Sequence, residues 1–142
     1  MEGPPVCTPQ PKGKPRAVKK KARRARPSTD KNAATRLHSL IVRSVGYCER
    51  CHRVTDTLQC AHIVSRRFSA TRCVRNNAWC LCAKCHLALT EDPYAHVAFA
   101  HQTIGEEHYG WLRALALNGP RPDWSVVAAE LRLEWDAIES AV

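Results

Sequence analysis

The first periodic stretch of the chain has a helical pattern of apolar and polar residues. Between residues 33 and 45 the apolar positions recur every three or four residues, at Leu37, Leu40, Ile41 and Val45. This spacing places the four side chains on one face of a helix. Asp30 or Asn32 stands where an N-cap is needed. We therefore expect an N-terminal helix over residues 33–45.

The next part of the chain, residues 46–92, alternates short apolar runs with turn-forming and charged segments. One apolar run covers residues 57–64 and another covers residues 78–81, and each is short enough for a β-strand. An arginine-rich segment separates the two runs. We expect two strands joined by a loop, followed by helix from Ala83 onward.

The C-terminal part of the chain carries helical signals throughout. Three helix starts are indicated, at Asp92-Pro93, at the capping-box pair Thr103 and Glu106, and near Asp123. The first of these helices is expected over residues 93–102, and Gly119-Pro120 ends the second. The chain as a whole predicts an α+β fold, with a core over residues 46–92 and supporting helices over residues 93–142.

The composition of the chain argues against a membrane-spanning protein and against a secreted one. The 142 residues are 44% hydrophobic, and no stretch approaches the ~20 apolar residues that a membrane span requires. The N-terminus, MEGPPVCTPQPKGK, lacks the apolar core of a secretory signal. We therefore expect a protein that is not secreted and that stays in a reducing intracellular compartment. In such a compartment eight cysteines are more typical of metal binding than of disulfides.

Charge divides the chain into three zones. Through Arg36 there are eleven Lys and Arg against two acidic residues, residues 37–90 have eight against two, and residues 91–142 have three against nine. The net charge of +9 therefore equals that of the first zone. Its prolines, its KKKARRAR run and its lack of large apolar residues predict a disordered tail over residues 1–32. Such a tail is typical of contact with nucleic acid, although a solubilising or targeting tail has a similar composition.

Two C-x-x-C pairs give the clearest chemical signal. Cys48 and Cys51 form the first pair, and Cys82 and Cys85 form the second, thirty residues later. Four thiolates complete the tetrahedral shell that Zn²⁺ prefers and leave no open position for catalysis. The pairs predict a structural zinc site, with two unrelated cysteine pairs or a redox motif as alternatives. The remaining cysteines are interpreted as non-ligands, although Cys80 could replace one of the four: Cys7, Cys60, Cys73 and Cys80.

Three polar residues stand at fixed places around these cysteines. His62 lies in the first apolar run, Asn77 precedes the second, and His86 directly follows Cys85. The strings CERC, CAHIVSRR and NNAWCLCAKCH resemble the HNH endonucleases, the ββα-metal nucleases, and especially small phage or prophage members with two C-x-x-C pairs. The resemblance covers about residues 48–89. It implies double-stranded DNA as the substrate and, for a phage-encoded protein, the host cytoplasm as the location.

The resemblance also implies a role for each of these residues. His62 is the general base, His86 binds the catalytic cation (Mg²⁺, or another divalent ion such as Mn²⁺ or Ni²⁺), and Asn77 orients the base or supports the loop. Asn76 is a weaker candidate for that last role. The chemistry agrees, since a neutral imidazole can accept a proton near pH 7 and a cation offsets charge on phosphate. Ala61 is a departure, because the family often has Asp or His there as a metal ligand. The cation would then rest on His86, substrate phosphate and waters, with Asn77 as a further candidate.

Four arginines lie between the two predicted strands, at Arg66, Arg67, Arg72 and Arg75. Guanidinium groups can bind phosphates bidentately, so these residues are candidates for DNA binding, with a solvated charged loop as the alternative. The other histidines are interpreted as solvated side chains: His38, His52, His96, His101 and His108.

The predicted function is metal-dependent hydrolysis of DNA phosphodiester bonds by a zinc-bound HNH module over residues 33–142. The alternative is a non-catalytic, zinc-dependent nucleic-acid-binding module, which Ala61 favours because a methyl group cannot coordinate a cation. A purely structural zinc protein is a third possibility. For the two imidazoles, the alternatives are that His62 is a hydrogen-bonded core residue and that His86 replaces a cysteine as zinc ligand.

Overall fold

The computed structural model describes residues 29–142. Within that range the chain forms five α-helices and one two-stranded antiparallel sheet. The elements are α1 (Asp30–Arg43), β1 (Leu58–His62), β2 (Ala78–Cys82), α2 (Ala83–Glu91), α3 (Pro93–Ile104), α4 (Glu106–Asn118) and α5 (Trp124–Ser140). No helix in the described range is both long and apolar enough to cross a lipid bilayer. The small α+β architecture agrees with the prediction.

Helix α1 begins three residues before its predicted start. The Thr29 side chain caps it by accepting a hydrogen bond from the Asn32 backbone N–H, so the predicted caps were wrong. Most of the predicted disordered tail, residues 1–28, lies outside the described residues. Residues 30–32, which were predicted to belong to that tail, instead form the first turn of α1. The buried face of α1 packs against the sheet and against α5.

The two strands pair antiparallel, with Cys60 opposite Cys80 and His62 opposite Ala78. Both strands lie close to the apolar runs that predicted them. Because strand side chains alternate between faces, Cys60 and His62 share one face of the sheet. Helix α1 brings His38 to this face, where the ring centroids of His38 and His62 are 5.6 Å apart.

Trp79 joins the sheet to α3. Its indole N–H donates to the Thr103 hydroxyl at 2.9 Å, and its ring centroid lies 4.9 Å from that of Phe99. Thr103 is therefore part of α3 and does not cap α4, so the predicted capping box was wrong. Gly105 occupies the junction instead, with φ 81°, a conformation that glycine adopts without steric cost.

The end of α4 and the start of α5 lie close to where the sequence predicts them. Helix α4 ends at Asn118, and the Asp123 carboxylate caps α5 by accepting the backbone N–H groups of Ser125 and Val126. Helix α5 packs on α1, while α4 contacts the short 3-10 turn at Ser69–Thr71 in the loop between the strands. The C-terminal helices thus support α1 and the inter-strand loop.

Candidate metal centres and cavity

The two cysteine pairs lie together, as predicted. The sulfur atoms of Cys48, Cys51, Cys82 and Cys85 are all within 4.8 Å of one another. The Cys51 and Cys82 sulfurs are 3.8 Å apart. A tetrahedral shell with Zn–S bonds of ~2.3 Å has edges of about 3.8 Å, so this separation fits zinc. The tetrad could therefore hold a zinc ion.

Local backbone structure presents each cysteine pair. The first pair lies on a tight turn, in which the Cys48 N–H donates to the Arg53 carbonyl at 2.9 Å and the His52 N–H donates to the Cys48 carbonyl at 2.7 Å. His52 has φ 59°, which is uncommon for a residue other than glycine. The second pair spans the junction at which β2 ends with Cys82 and α2 carries Cys85 in its first turn.

The thiol pKa values indicate why a cation is needed here. Burial, followed by contact with the other three sulfurs, raises the pKa of Cys85 to about 12. Burial acts in the same direction on Cys48, but hydrogen bonds from the backbone of Cys51, Cys82 and Arg50 outweigh it and lower the pKa of Cys48 to about 6. Four adjacent thiolates repel one another, so a divalent cation is required to hold all four deprotonated.

The other cysteines lie outside this tetrad. Burial raises the pKa of both Cys73 and Cys80. Cys80 lies opposite Cys60 in the sheet and is not among the four cysteines whose sulfurs cluster, so it does not replace one of them. Cys7 lies outside the described residues.

His62 and His86 line one open cavity of about 480 Å³, together with Cys60, Ser65, Arg66 and His96. A second cavity of about 320 Å³ shares Cys60, His62 and Arg66 with it and extends along α1. No carboxylate among the described residues lines either cavity. The two cavities therefore form a continuous surface that favours an anion.

The His62 ring is held by the loop between the strands. Its Nε2–H donates to the Arg72 carbonyl oxygen at 2.9 Å, and because a carbonyl only accepts, Nδ1 keeps the free lone pair. Burial lowers the pKa of His62; the bond to the Arg72 carbonyl acts against this, while the charges of Arg66 and Arg72 reinforce it. The ring is therefore neutral near pH 7 and able to accept a proton.

The His86 ring is oriented through Nδ1, whereas the His62 ring is oriented through Nε2. Its Nδ1–H donates to the Gln59 amide oxygen at 2.7 Å, which leaves the Nε2 lone pair free. Histidines that bind metals usually have their second nitrogen hydrogen-bonded in this way. Gln59 lies in β1, and the sequence analysis did not identify it because no motif spacing marks it.

Asn77 supports the loop and does not reach the cavity. It is fully buried. Its side-chain oxygen accepts the Val64 N–H at 2.7 Å, and its amide donates to the carbonyls of Val64 and Thr71 at 3.0 and 2.8 Å. With these bonds and no exposure it is not a metal ligand, so that candidate role was wrong. Because the residue after Thr71 supplies the carbonyl that holds His62, Asn77 is a positioning residue.

The four loop arginines have different surroundings. Arg66 lines both cavities, whereas Arg67 lies over the Phe68 ring with 4.9 Å to its centroid. The Arg72 side chain is half-buried. Arg75 pairs with Glu134 of α5 at 3.0 Å. The structure therefore brings Arg66 to the site and directs Arg75 toward α5.

Two arginines that the sequence analysis did not select also line the second cavity. Arg36 and Arg43 project from α1 and share this cavity with Arg66. They lie before the first cysteine pair and outside any motif, so only the packing of α1 on the sheet shows that they belong to this surface.

The interpretation of His38 and His96 as solvated side chains was wrong. His38 is 2% exposed. Burial, and then the charge of His62, lowers the pKa of His38 to about 4. His96 is half-buried, with its ring centroid 5.1 Å from that of Trp79, and it lines the same cavity as His62. Both residues therefore belong to the structure around His62.

A second group of potential metal ligands adjoins the cavity. His38, Cys60 and His62 each place one ligand atom within 4.8 Å of the others. No motif in the sequence marks His38 or Cys60 as a ligand. These two residues lie on different elements, so their proximity depends on the tertiary structure.

Comparison of the chain with protein-family models, with curated proteins and with solved structures gave no match.

Proposed function

We propose that this protein is a metal-dependent HNH endonuclease that hydrolyses phosphodiester bonds of double-stranded DNA. The observation that carries the proposal is that His62 of β1 and His86 of α2 line the same cavity. The resemblance of residues 48–89 to HNH nucleases gives these residues the roles of base and metal ligand. The order β1, β2, α2 with a cysteine tetrad beside it is the arrangement that the resemblance implies.

In this proposal His62 activates the attacking water. Its Nδ1 lone pair accepts the water proton while the water oxygen attacks phosphorus. The bond from phosphorus to the 3′ oxygen then breaks, and the leaving oxygen takes a proton from a solvent water, which gives a 5′ phosphate and a 3′ hydroxyl. The Arg72 carbonyl holds the ring through Nε2 during this step.

The catalytic cation would be held through the free Nε2 of His86. A divalent ion bound there would offset, as a Lewis acid, the negative charge that develops on the phosphoryl oxygens and on the leaving oxygen. Imidazole nitrogen is a better ligand for Ni²⁺ than for Mg²⁺, which prefers carboxylate oxygen. Because no carboxylate of the described residues lines the cavity, we expect Ni²⁺ to support more cleavage than Mg²⁺.

The DNA backbone would lie along the joined cavities. Arg36, Arg43 and Arg66 line this surface, and guanidinium groups bind phosphate oxygens in pairs. Contacts of this kind hold the duplex in register but carry no sequence information. The proposal therefore includes DNA binding with modest sequence preference.

The test is a nicking assay on supercoiled plasmid with Mg²⁺, Mn²⁺ or Ni²⁺, with and without chelator. We expect the wild type to nick the plasmid and His62→Gln to lose this activity. Glutamine can still donate a hydrogen bond to the Arg72 carbonyl but cannot accept the proton. His101→Gln is the matched control, because His101 packs on Tyr109, away from the cavity, and it should nick like the wild type.

A non-catalytic, zinc-dependent nucleic-acid-binding module is the second candidate. Ala61 favours it, because its methyl group is buried in the core at 3% exposure and offers no ligand. Equal DNA binding by wild type and His62→Gln, with no cleavage in any metal, would favour this candidate over the nuclease.

A further inference from the structure

We infer that His38, Cys60 and His62 form a second metal site, separate from the cysteine tetrad, that binds zinc or a similar divalent ion. One ligand atom of each residue lies within 4.8 Å of the other two. Cys60 and His62 share a face of β1 because they are two residues apart. His38 reaches this face from α1, with its ring 5.6 Å from the His62 ring.

Backbone carbonyls orient both imidazole rings for metal binding. The Nε2–H of His38 donates to the Val74 carbonyl at 3.3 Å, and the Nε2–H of His62 donates to the Arg72 carbonyl at 2.9 Å. Each ring therefore keeps a free lone pair on Nδ1. Metal-binding histidines almost always donate their second N–H to a carbonyl or a carboxylate. Both bonds go to one short segment, at Arg72 and Val74, so the two rings are held in a fixed relation to each other.

The donor set selects the class of ion. One thiolate and two imidazoles suit Zn²⁺, Co²⁺ or Cu²⁺ and do not suit Mg²⁺. A zinc shell with these ligands has donor-to-donor distances of about 3.3 to 3.6 Å, so small side-chain rotations suffice to close it.

Three protein ligands leave a fourth position open, as in catalytic zinc sites. Cys60 and His62 also line the cavity that contains Ser65 and Arg66. The fourth ligand is therefore a water or an anionic oxygen that enters from this cavity.

Occupancy of this site has a consequence that rests on the proposed function. The ion would use the Nδ1 lone pair of His62, which is the lone pair that the general base needs. Zinc bound there would therefore suppress cleavage while the cysteine tetrad stayed intact. The second site would make the nuclease sensitive to the supply of free zinc.

The test is an anaerobic Co²⁺ titration of the reduced, metal-free, full-length protein, followed by the thiolate-to-cobalt charge-transfer band. We expect the wild type to bind two Co²⁺ per chain, first at the tetrad and then at a site with a single thiolate. Cys60→Ser and His38→Ala should keep the tetrathiolate spectrum, which reports a folded tetrad, and lose the second equivalent. Cys73→Ser is the matched control, because Cys73 is a half-buried thiol outside both groups, and it should bind two.

Saturation of the wild type at one Co²⁺, or a second equivalent that persists in Cys60→Ser, would overturn the inference. A second assay measures manganese-supported nicking with added Zn²⁺. Half-inhibition of Cys60→Ser should need at least about 10-fold more zinc than half-inhibition of the wild type, because the loss of even an outer-shell partner of a ligand costs about 10- to 100-fold in metal affinity; equal sensitivity would contradict the predicted suppression of cleavage. If neither the wild type nor any variant nicks DNA, the nuclease proposal fails. The number of Co²⁺ ions bound per chain still decides the metal site.

Discussion

Asn77 shows how one buried polar side chain supports the candidate site. It bonds to Val64 at one end of the inter-strand loop and to Thr71 in the middle. The Arg72 carbonyl that orients His62 follows directly in the chain. The orientation of the His62 ring therefore depends on an amide that does not line the cavity.

Replacing Asn77 with alanine should lower the free energy of unfolding by about 2 kcal/mol or more. The change leaves the Val64 N–H and carbonyl buried without partners, and each such loss costs about 1–3 kcal/mol, whereas the Thr71 carbonyl still accepts the Val74 N–H. Urea unfolding followed by tryptophan fluorescence measures the effect. Asn76→Ala is the control, because Asn76 is exposed and its loss should change stability by less than about 0.5 kcal/mol. Similar losses in both variants would contradict the role of Asn77.

His38 should make stability depend on pH. Its pKa is about 4 in the folded protein against 6.5 in the unfolded chain, so the unfolded chain binds a proton that the folded protein does not. Stability is therefore lost as pH falls below 6.5, by about 2 kcal/mol at about pH 5. Above pH 6.5 the residue contributes no pH dependence.

The measurement compares the wild type with His38→Gln in protein whose cysteine tetrad is loaded with zinc. Glutamine can donate to the Val74 carbonyl but does not titrate. As the pH is lowered, the free energy of unfolding of the wild type should fall relative to that of His38→Gln. A difference that stays constant with pH would show that folding does not change the pKa of His38, and would contradict the lowered pKa.

Residues with motif spacing could be identified from the sequence, and residues brought in by packing could not. The four tetrad cysteines, His62 and His86 lie within one short segment, where distance along the chain limits distance in space. His38 and Arg36 come from α1, before this segment, and no local pattern distinguishes a histidine that faces the sheet from one that faces water. Gln59 lies within the segment, but no local pattern distinguishes it from other polar residues, so it could not be predicted either.

At the scale of elements, helix α4 and its C-cap offer a matched pair of glycines. A Cβ added to the C-cap Gly119 would clash with the Leu115 carbonyl oxygen and lie 2.8 Å from the Ala70 side chain, whereas a Cβ added to Gly110 meets nothing within 4 Å. The first glycine permits a close approach between α4 and the loop. The second lies within a helix, where glycine costs stability.

Gly119→Ala should therefore lower stability by about 1–3 kcal/mol, because a backbone atom cannot move away easily. Gly110→Ala should raise it by about 0.5–1 kcal/mol. Thermal unfolding followed by circular dichroism measures both. Equal melting temperatures for the two variants would contradict the close packing at Gly119.

Element types and order followed from periodicity, but helix ends depended on tertiary contacts. Thr103 has the right spacing to cap α4, yet it remains in α3 because Trp79 donates a hydrogen bond to its hydroxyl. Thr29 caps α1 although Asp30 and Asn32 are equally suitable residue types. Residue type alone therefore does not show which of several neighbouring residues caps a helix.

At the scale of the whole molecule, removal of zinc should unfold the protein. Structural zinc sites contribute about 10–16 kcal/mol in small domains, which exceeds the ~5–15 kcal/mol net stability of most proteins. Cys85→Ser should unfold at zinc concentrations at which Cys73→Ser stays folded. Near-ultraviolet circular dichroism with and without EDTA measures this loss, and a chelated wild type that kept its spectrum would contradict it.

The positive charge of Arg66 should contribute to DNA affinity. Arg66 lines both cavities, whereas Arg75 is paired with Glu134. Arg66→Ala should weaken binding and reduce the slope of log affinity against log salt by about 1, whereas Arg75→Ala should change the slope little. Fluorescence anisotropy over a salt series measures both slopes. Equal slopes in the two variants would place the DNA elsewhere.

The cysteine tetrad also affects the order in which the chain can assemble. Both strands and the loop that orients His62 lie between the two cysteine pairs. An ion bound by all four cysteines therefore closes this segment into a ring and limits the conformations of the unfolded chain, much as a disulfide does. During synthesis the ring cannot close until Cys85 has left the ribosome, so the cavity is completed only after both strands have been translated.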